Sequence, residues 1–216
     1  EVFHALFPNE LHGVSVADAL RSVEMLFKND VEPERVAAFI VEPVQGEGGF
    51  YIAPPAFISG LKALADKYGI LLIADEVQTG AGRTGTWFAC EQWPVAPDLI
   101  TTGKSLAGGF PLSGVVGRAD VIDAPAAGGL GGTYAGSPVA CVAALAVMKA
   151  FETEQLLDRS QIMGAFLLKQ LHIIAAQVPQ IGDVRGLGAM VAIELFEDGD
   201  VQRPDPTLTK VVVAEA

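Results

Sequence analysis

ILLIADEVQTG (residues 70–80) and, after a short variable piece, DLITTGKSLAGGFPLSGVVG (residues 98–117) decide how this chain folds. Ile70 to Asp75 reads as a strand buried on both faces: it is short and apolar, follows a helix-ending Gly69, and stops at Asp75 and Glu76. Those acids therefore sit at the strand's carboxyl end. In an open parallel sheet ligands bind along that edge, so a carboxylate there faces a small molecule. A second short strand, Asp98 to Thr102, delivers Lys104, which is followed by Ala107, Gly108 and Gly109. Small neighbours at a strand end predict a lysine in a closed, partly desolvated pocket, where its neutral amine becomes accessible. Ser113 to Gly117 reads as a third apolar strand.

An acid and an amine on neighbouring strand ends are the two groups that pyridoxal 5'-phosphate requires. The amine condenses with the cofactor's aldehyde, and the carboxylate keeps the pyridine nitrogen protonated so that the ring draws electrons from a breaking bond. The same spacing fits a commoner case, an acid that caps the next helix and a lysine in water. The small, apolar surroundings of Lys104 favour the first.

Outward from this stretch, helices and strands alternate, which predicts right-handed crossovers onto a mostly parallel sheet in an α/β fold. Val14 to Asn29 reads as a helix, with Ser15 and Asp18 as a capping pair and Ala17, Leu20, Val23, Leu26 and Phe27 as its apolar stripe. Val36 to Val41 reads as a strand ending at Glu42. The loop PVQGEGGF places Glu47 between two glycines, where the backbone can approach a ligand. As a loop acid it also fits simple solvation. Pro55 to Tyr68 reads as a helix stopped by Gly69. Gln78 and Arg83 lie in the loop after Asp75, and Gln78 is a candidate donor to a ligand oxygen.

Val139 to Phe151 is apolar on nearly all sides and predicts a central helix. Thr133, in the glycine-rich loop before it, is a candidate phosphate contact as well as an ordinary turn threonine. Glu154 to Gln177 reads as an amphipathic helix whose buried face holds Leu156, Met163, Phe166, Leu167, Leu171 and Ile174. Arg185 to Leu195 reads as a strand opening a different unit. The division expected is residues 1–155 and residues 156–216.

With 216 residues, 50% hydrophobic and 19% charged, the chain can bury a large core in one or two domains. A net charge of −12 argues against nucleic acid or an anionic membrane as partner. Neither a long apolar run nor a leader pattern is visible, and two cysteines, Cys90 and Cys141, read as buried thiols in a reducing, cytoplasmic compartment. His4, His12 and His172 lack ligand spacing, so no metal site is expected. Glu1 at the start and LTKVVVAEA at the end, without a stop signal, are expected of a segment from a longer polypeptide.

EPVQGEGGFY, LLIADEVQTGAGRTG, KSLAGGFPLSGVVGRA, GGLGGTYAGSP and GDVRGLGAMVAIELFEDG together resemble the motifs of class III pyridoxal phosphate-dependent aminotransferases, in order and over nearly the whole chain. The resemblance implies an aspartate aminotransferase-like fold, PLP fold type I: a large domain with a mostly parallel sheet, the start of a small C-terminal domain, and a homodimer with shared active sites. It implies transamination of an ω-amino acid, 4-aminobutyrate first, with 5-aminovalerate or ornithine as alternatives and 2-oxoglutarate as the 2-oxo acid acceptor. Lys104 would be the Schiff-base lysine and proton carrier, and Asp75 the partner of the pyridine nitrogen. Val77 would pack on the ring, Gln78 would bond its phenolic oxygen, and Thr133 would contact the phosphate of the partner subunit's cofactor. Glu47 would pair with a mobile arginine that admits one substrate carboxylate or another. The family's phosphate-binding turn and substrate-carboxylate arginines match no segment here, so the piece alone is expected to turn over weakly or not at all. An aminomutase or decarboxylase on the same fold, a nucleotide-binding domain and a non-catalytic remnant are the competing readings.

Overall fold

The structure is a computed structural model that describes residues 1–215. Ala216, which closes the expected second unit, lies outside the described residues. Helix α1 (Val16–Asn29) leads to strand β1 (Ala38–Val41), helix α2 (Pro55–Tyr68) and strand β2 (Leu71–Asp75). Strands β3 (Leu99–Thr102) and β4 (Gly114–Gly117) follow, then the single-turn α3 (Ala119–Ile122) and the long α4 (Pro138–Thr153) and α5 (Leu156–Ala175). The hairpin β5 (Ile181–Leu187) and β6 (Met190–Leu195) and helix α6 (Pro206–Glu215) complete the described chain.

The main sheet runs β1-β2-β3-β4, with the first three strands parallel and β4 antiparallel to β3. Its register pairs Phe39 with Leu72 and Val41 with Ala74, so these four side chains share a face. α1 and α2 cover that face. Ala19 and Val23 from α1, Phe57, Ile58 and Leu61 from α2, and Leu72 form one buried cluster. Enclosing Ile58 or Leu72 fully stabilises the fold by about 1.5–3 kcal/mol each.

The helix ends follow their local chemistry. Ser15 and Asp18 make a reciprocal capping box, with Asp18 N donating to Ser15 Oγ at 3.1 Å and Ser15 N donating to Asp18 Oδ2 at 3.2 Å. Gly69 ends α2 in the left-handed conformation, φ 70°, that glycine adopts at least cost.

Several expectations are corrected. β2 is not buried on both faces: Leu72 and Ala74 are enclosed, Leu71 and Ile73 only partly, and Ile40 on the same outer face is 61% exposed. The cause is that α1 and α2 pack on the same side. Ala17 is exposed on α1, where Ala19 and Val23 are the buried residues. The strand expected at Ser113 to Gly117 is present, but its Val115 and Val116 are exposed. The segment Arg185 to Leu195 is not one strand but a turn and parts of two, because Gly188 (φ 56°) reverses the chain and pairs Leu187 with Met190.

The long helices depart furthest. In α4 only Ala140 and Ala144 are buried, while Val139, Val142, Leu145 and Met148 are exposed. Its small face packs on the turn Lys104–Ala107, the helix also touches α5, and Phe151 near its end lies 4.5 Å from Trp87, ring centre to ring centre; the exposed side chains between are left uncovered among the described residues. In α5 the buried residues are Ser160 and Gly164, whereas Met163, Phe166 and Ile174 are exposed. The reason is a backbone-to-backbone contact: a Cβ on Gly164 would stand 1.7 Å from the Gly188 carbonyl oxygen, so only the glycine face can meet the hairpin.

Candidate active site

The carboxyl ends of β1, β2 and β3 lie side by side, and most of the candidate residues leave the sheet there. β2 ends on Asp75, paired in register with Thr101 of β3. Asp75 Oδ1 accepts the Thr101 hydroxyl at 3.0 Å and the Val77 amide at 3.1 Å. Among the described residues nothing donates to Oδ2. The half-buried carboxylate is thus held by one oxygen and offers the other.

Glu76, the next residue, has the opposite fate. It is fully buried and accepts from the Thr79 hydroxyl, the Ala89 amide at 3.0 Å and the Cys90 amide at 2.7 Å. Successive strand residues face opposite ways, so two adjacent acids serve two ends. One stands at the carboxyl edge of the sheet with an oxygen unengaged, and the other ties down the loop that follows. Burial, with Glu76 nearby, pushes the Cys90 thiol well up, so it is inert as a nucleophile.

Lys104 follows β3 by two residues and begins a short turn of 3-10 helix, Lys104–Ala107. Its φ of 43° lies in the left-handed region. A side chain there costs on the order of 1–2 kcal/mol, a strain that clusters where function needs a particular geometry. The preceding Gly103 is buried, and a Cβ on it would touch Val77 Cγ1 at 3.6 Å, so Val77 borders the approach to the lysine. The expectation of a closed, desolvated pocket is corrected, because Lys104 is exposed. Among the described residues nothing closes over it. Beside it, Arg83 donates to Ser105 Oγ through Nε at 3.3 Å and Nη2 at 3.0 Å.

Gln78 and the Glu47 loop meet directly. A Cβ on Gly46 would fall 1.4 Å from Gln78 Oε1, so the amide rests where only hydrogen fits. Gly46 N donates to Glu42 Oε2 at 2.7 Å, which fastens the loop to the end of β1. Glu47 stands exposed at the tip. Thr133 is not brought to the other candidates: it lies in an exposed stretch that spans residues 123–136.

A cavity of about 680 Å³ opens beside this edge, lined by Arg83, Ser105, Phe151, Arg159, Ser160 and Met163 among others. Neither Asp75 nor Lys104 lines it. Among the described residues no group of three or more His, Cys, Asp or Glu side chains is placed to hold a metal, and no helix is long and apolar enough to cross a membrane.

Sequence reasoning missed Glu76 as the loop's anchor and passed over Tyr51, Arg185 and Glu194. Arg185 and Glu194 carried one signal, a charge of each sign inside an otherwise apolar stretch that bends into a hairpin.

A sequence model of the family described as aminotransferase class-III matches residues 1–215. The 4-aminobutyrate aminotransferase GabT of Escherichia coli is 62% identical over 215 residues, which are 100% of this chain and 50% of that protein. The 5-aminovalerate aminotransferase DavT of Pseudomonas putida is also 62% identical, again over 100% of this chain and 50% of its own length. Among solved structures, a Bacillus anthracis aminotransferase superposes with a TM-score of 0.86 at 32% identity, covering 100% of this chain and 52% of its own. The chain spans about half the length of the curated relatives it matches.

Proposed function

Since this chain belongs to the class III aminotransferases, we propose that it carries the chemical centre of a pyridoxal phosphate-dependent transaminase that moves the amino group of an ω-amino acid, 4-aminobutyrate first, to 2-oxoglutarate. The observation that carries this reading is the pairing of Asp75 and Lys104 at the ends of adjacent parallel strands, the acid with one oxygen unengaged.

The donor set fits the cofactor. Asp75 Oδ2 is available to a protonated ring nitrogen, and Oδ1 is held by donors that keep the group aimed. Val77 supplies an apolar wall, and Lys104 presents an amine from a backbone fixed in a strained turn. When bound, pyridoxal phosphate supplies an electron sink for the bond that breaks at the substrate carbon. Lys104 would hold the cofactor through Nζ and afterwards carry the proton on that atom. Gln78, resting on Gly46, would donate to the phenolic oxygen. Glu47 would take part at the substrate's far end, and Thr133 would reach the phosphate of a cofactor held by a second copy.

The reading extends to a homodimer, a reducing cytoplasmic setting and a boundary between units near residue 155. The uncovered apolar face of α4, the free thiols Cys90 and Cys141 and the kink at Gln155 (φ 52°) support these three points. The similarity to DavT keeps 5-aminovalerate as a second amino donor.

Incubation with pyridoxal phosphate, borohydride reduction and peptide mass analysis tests the reading. A pyridoxyl group on Lys104 that disappears in Lys104→Ala is expected, and labelling spread over other lysines would refute it. Glutamate formation from 4-aminobutyrate or 5-aminovalerate with 2-oxoglutarate then ranks the donors. Turnover by the 216-residue chain is expected to be weak, because no segment of it matches the family's phosphate-binding turn or substrate-carboxylate arginines and, among the described residues, nothing closes over Lys104.

A further inference from the structure

The β5–β6 hairpin reaches back across the molecule to the loop that carries Glu47. Arg185 Nε and Nη2 donate to the Gly49 carbonyl oxygen at 2.8 and 2.6 Å. Its Nη1 donates to Glu194 Oε2 at 2.9 Å and also to Asp183. The guanidinium lies 3.8 Å from the centre of the Tyr51 ring, whose hydroxyl in turn donates to Glu194. His12 Nε2 completes the cluster, 2.7 Å from Glu194 Oε1 and 3.0 Å from the Tyr51 hydroxyl. The Arg185 side chain is only 14% exposed. A guanidinium withdrawn that far from water needs both its charge and its donors matched, and here two carboxylates, one carbonyl and an aromatic face match them.

The loop it grips needs holding. Gly49 (φ 112°) and Phe50 (φ 60°) both occupy the left-handed side of backbone space, which is costly for phenylalanine. Within the loop, Phe50 N donates to Gln45 O at 2.8 Å and Gln45 N to Tyr51 O at 2.9 Å. Across the tip Gly49 N donates to Gly46 O at 3.1 Å and Gly46 N to Glu42 Oε2 at 2.7 Å, and Arg185 alone among the described side chains holds the Gly49 carbonyl. Glu47, two residues before Gly49, makes no hydrogen bond of its own among the described residues.

We propose that Arg185 is a positioning residue for the substrate end of the site: by fixing the Gly49 carbonyl it sets where the tip bearing Glu47 stands, so that the hairpin governs how the site presents that carboxylate. The role of Glu47 rests on the transaminase reading above; the grip on the loop does not. The arginine touches no reacting atom and acts through backbone.

Amide hydrogen exchange on the 216-residue chain tests this. A charged hydrogen bond contributes enough that its loss in Arg185→Ala is expected to speed exchange at Gly49 and Phe50 by about tenfold or more, with β2 amides unchanged. Arg185→Lys is expected to restore little, because an ammonium lacks the planar fork. Millimolar guanidinium added to Arg185→Ala is expected to return protection to those two amides. Unchanged exchange at Gly49 and Phe50 would overturn the proposal. So would a loss of protection spread over β2 that guanidinium leaves unrepaired, since that describes an arginine needed only for folding. Borohydride labelling of Lys104 in the unsubstituted chain, run beside these measurements, reports on the transaminase reading separately, so the failure of one is told from the failure of the other.

Discussion

Lys104 combines the side chain on which the proposed chemistry rests with a backbone angle that glycine would adopt more cheaply. Lys104→Gly is therefore expected to be more stable than Lys104→Ala by about 1 kcal/mol in thermal or urea unfolding, although both lose the amine. Asp75→Asn is expected to keep its bonds from Thr101 and Val77 but weaken cofactor retention at least about tenfold, since a neutral amide stabilises a ring cation poorly. Equilibrium dialysis with pyridoxal phosphate measures it. Acid stability has its own residues. Burial opposes ionisation of Asp98, yet the Leu72 amide, Arg118 and Lys62 together hold its carboxyl below the usual range. Glu194 is likewise lowered against burial, by Tyr51, His12 and Arg185. A depressed folded pKa means stability fully present above the unfolded value and lost as pH falls, so urea midpoints should drop progressively below about pH 4. Asp98→Asn should flatten that decline. At the other end, burial and Glu194 push the Tyr51 hydroxyl up, so the stability it contributes is lost above about pH 10. Placement was legible in the sequence where it is local: Asp75, Val77, Gln78 and Lys104 stand along one sheet edge. The burial of Glu76 was not legible, because its partners, Ala89 and Cys90, lie 13 and 14 residues away and donate through backbone.

At the scale of elements, caps and stops wrote themselves plainly into the chain. Ser15 and Asp18 begin α1, Pro55 and Gly69 bracket α2, and β2 and β3 fall within a residue of the expected limits. Packing direction was the unreadable part. Periodicity marks which residues are apolar, but α5 meets the hairpin through Ser160 and Gly164, and α4 meets the turn Lys104–Ala107 through Ala140 and Ala144. Small residues permit close approach of backbones, and no hydrophobicity pattern reports that. Gly164→Ala consequently should destabilise the chain by about 1–3 kcal/mol or more, because the new methyl overlaps the Gly188 carbonyl. A lowered urea midpoint with increased exchange in β5 and β6, but not in β1 and β2, is the expected signature.

For the molecule as a whole, the exposed side chains of Val139, Val142 and Leu145 on α4 form an apolar surface of the sort that a second polypeptide covers. Replacing Val142 and Leu145 together by Asp is expected to shift sedimentation toward a monomer without lowering the unfolding midpoint, as neither is buried within the chain. The α/β class and the parallel sheet were legible because alternating elements leave few topologies. The fastening of that sheet's edge to distant segments was not, since it depends on pairs such as Arg185 with Gly49, separated by 136 residues, and His12 with Glu194, separated by 182. The separation has a consequence during synthesis. At about 5–20 residues per second a ribosome needs roughly 7–27 s to travel from Gly49 to Arg185, and longer to free the hairpin from its exit tunnel. Until then the nascent sheet can close and Asp75 can find Thr101, while the loop bearing Glu47, already tied to Glu42 and set against Gln78, still lacks the hold of Arg185 on Gly49. The edge proposed to carry the chemistry thus takes shape before the grip of the hairpin on the Glu47 loop.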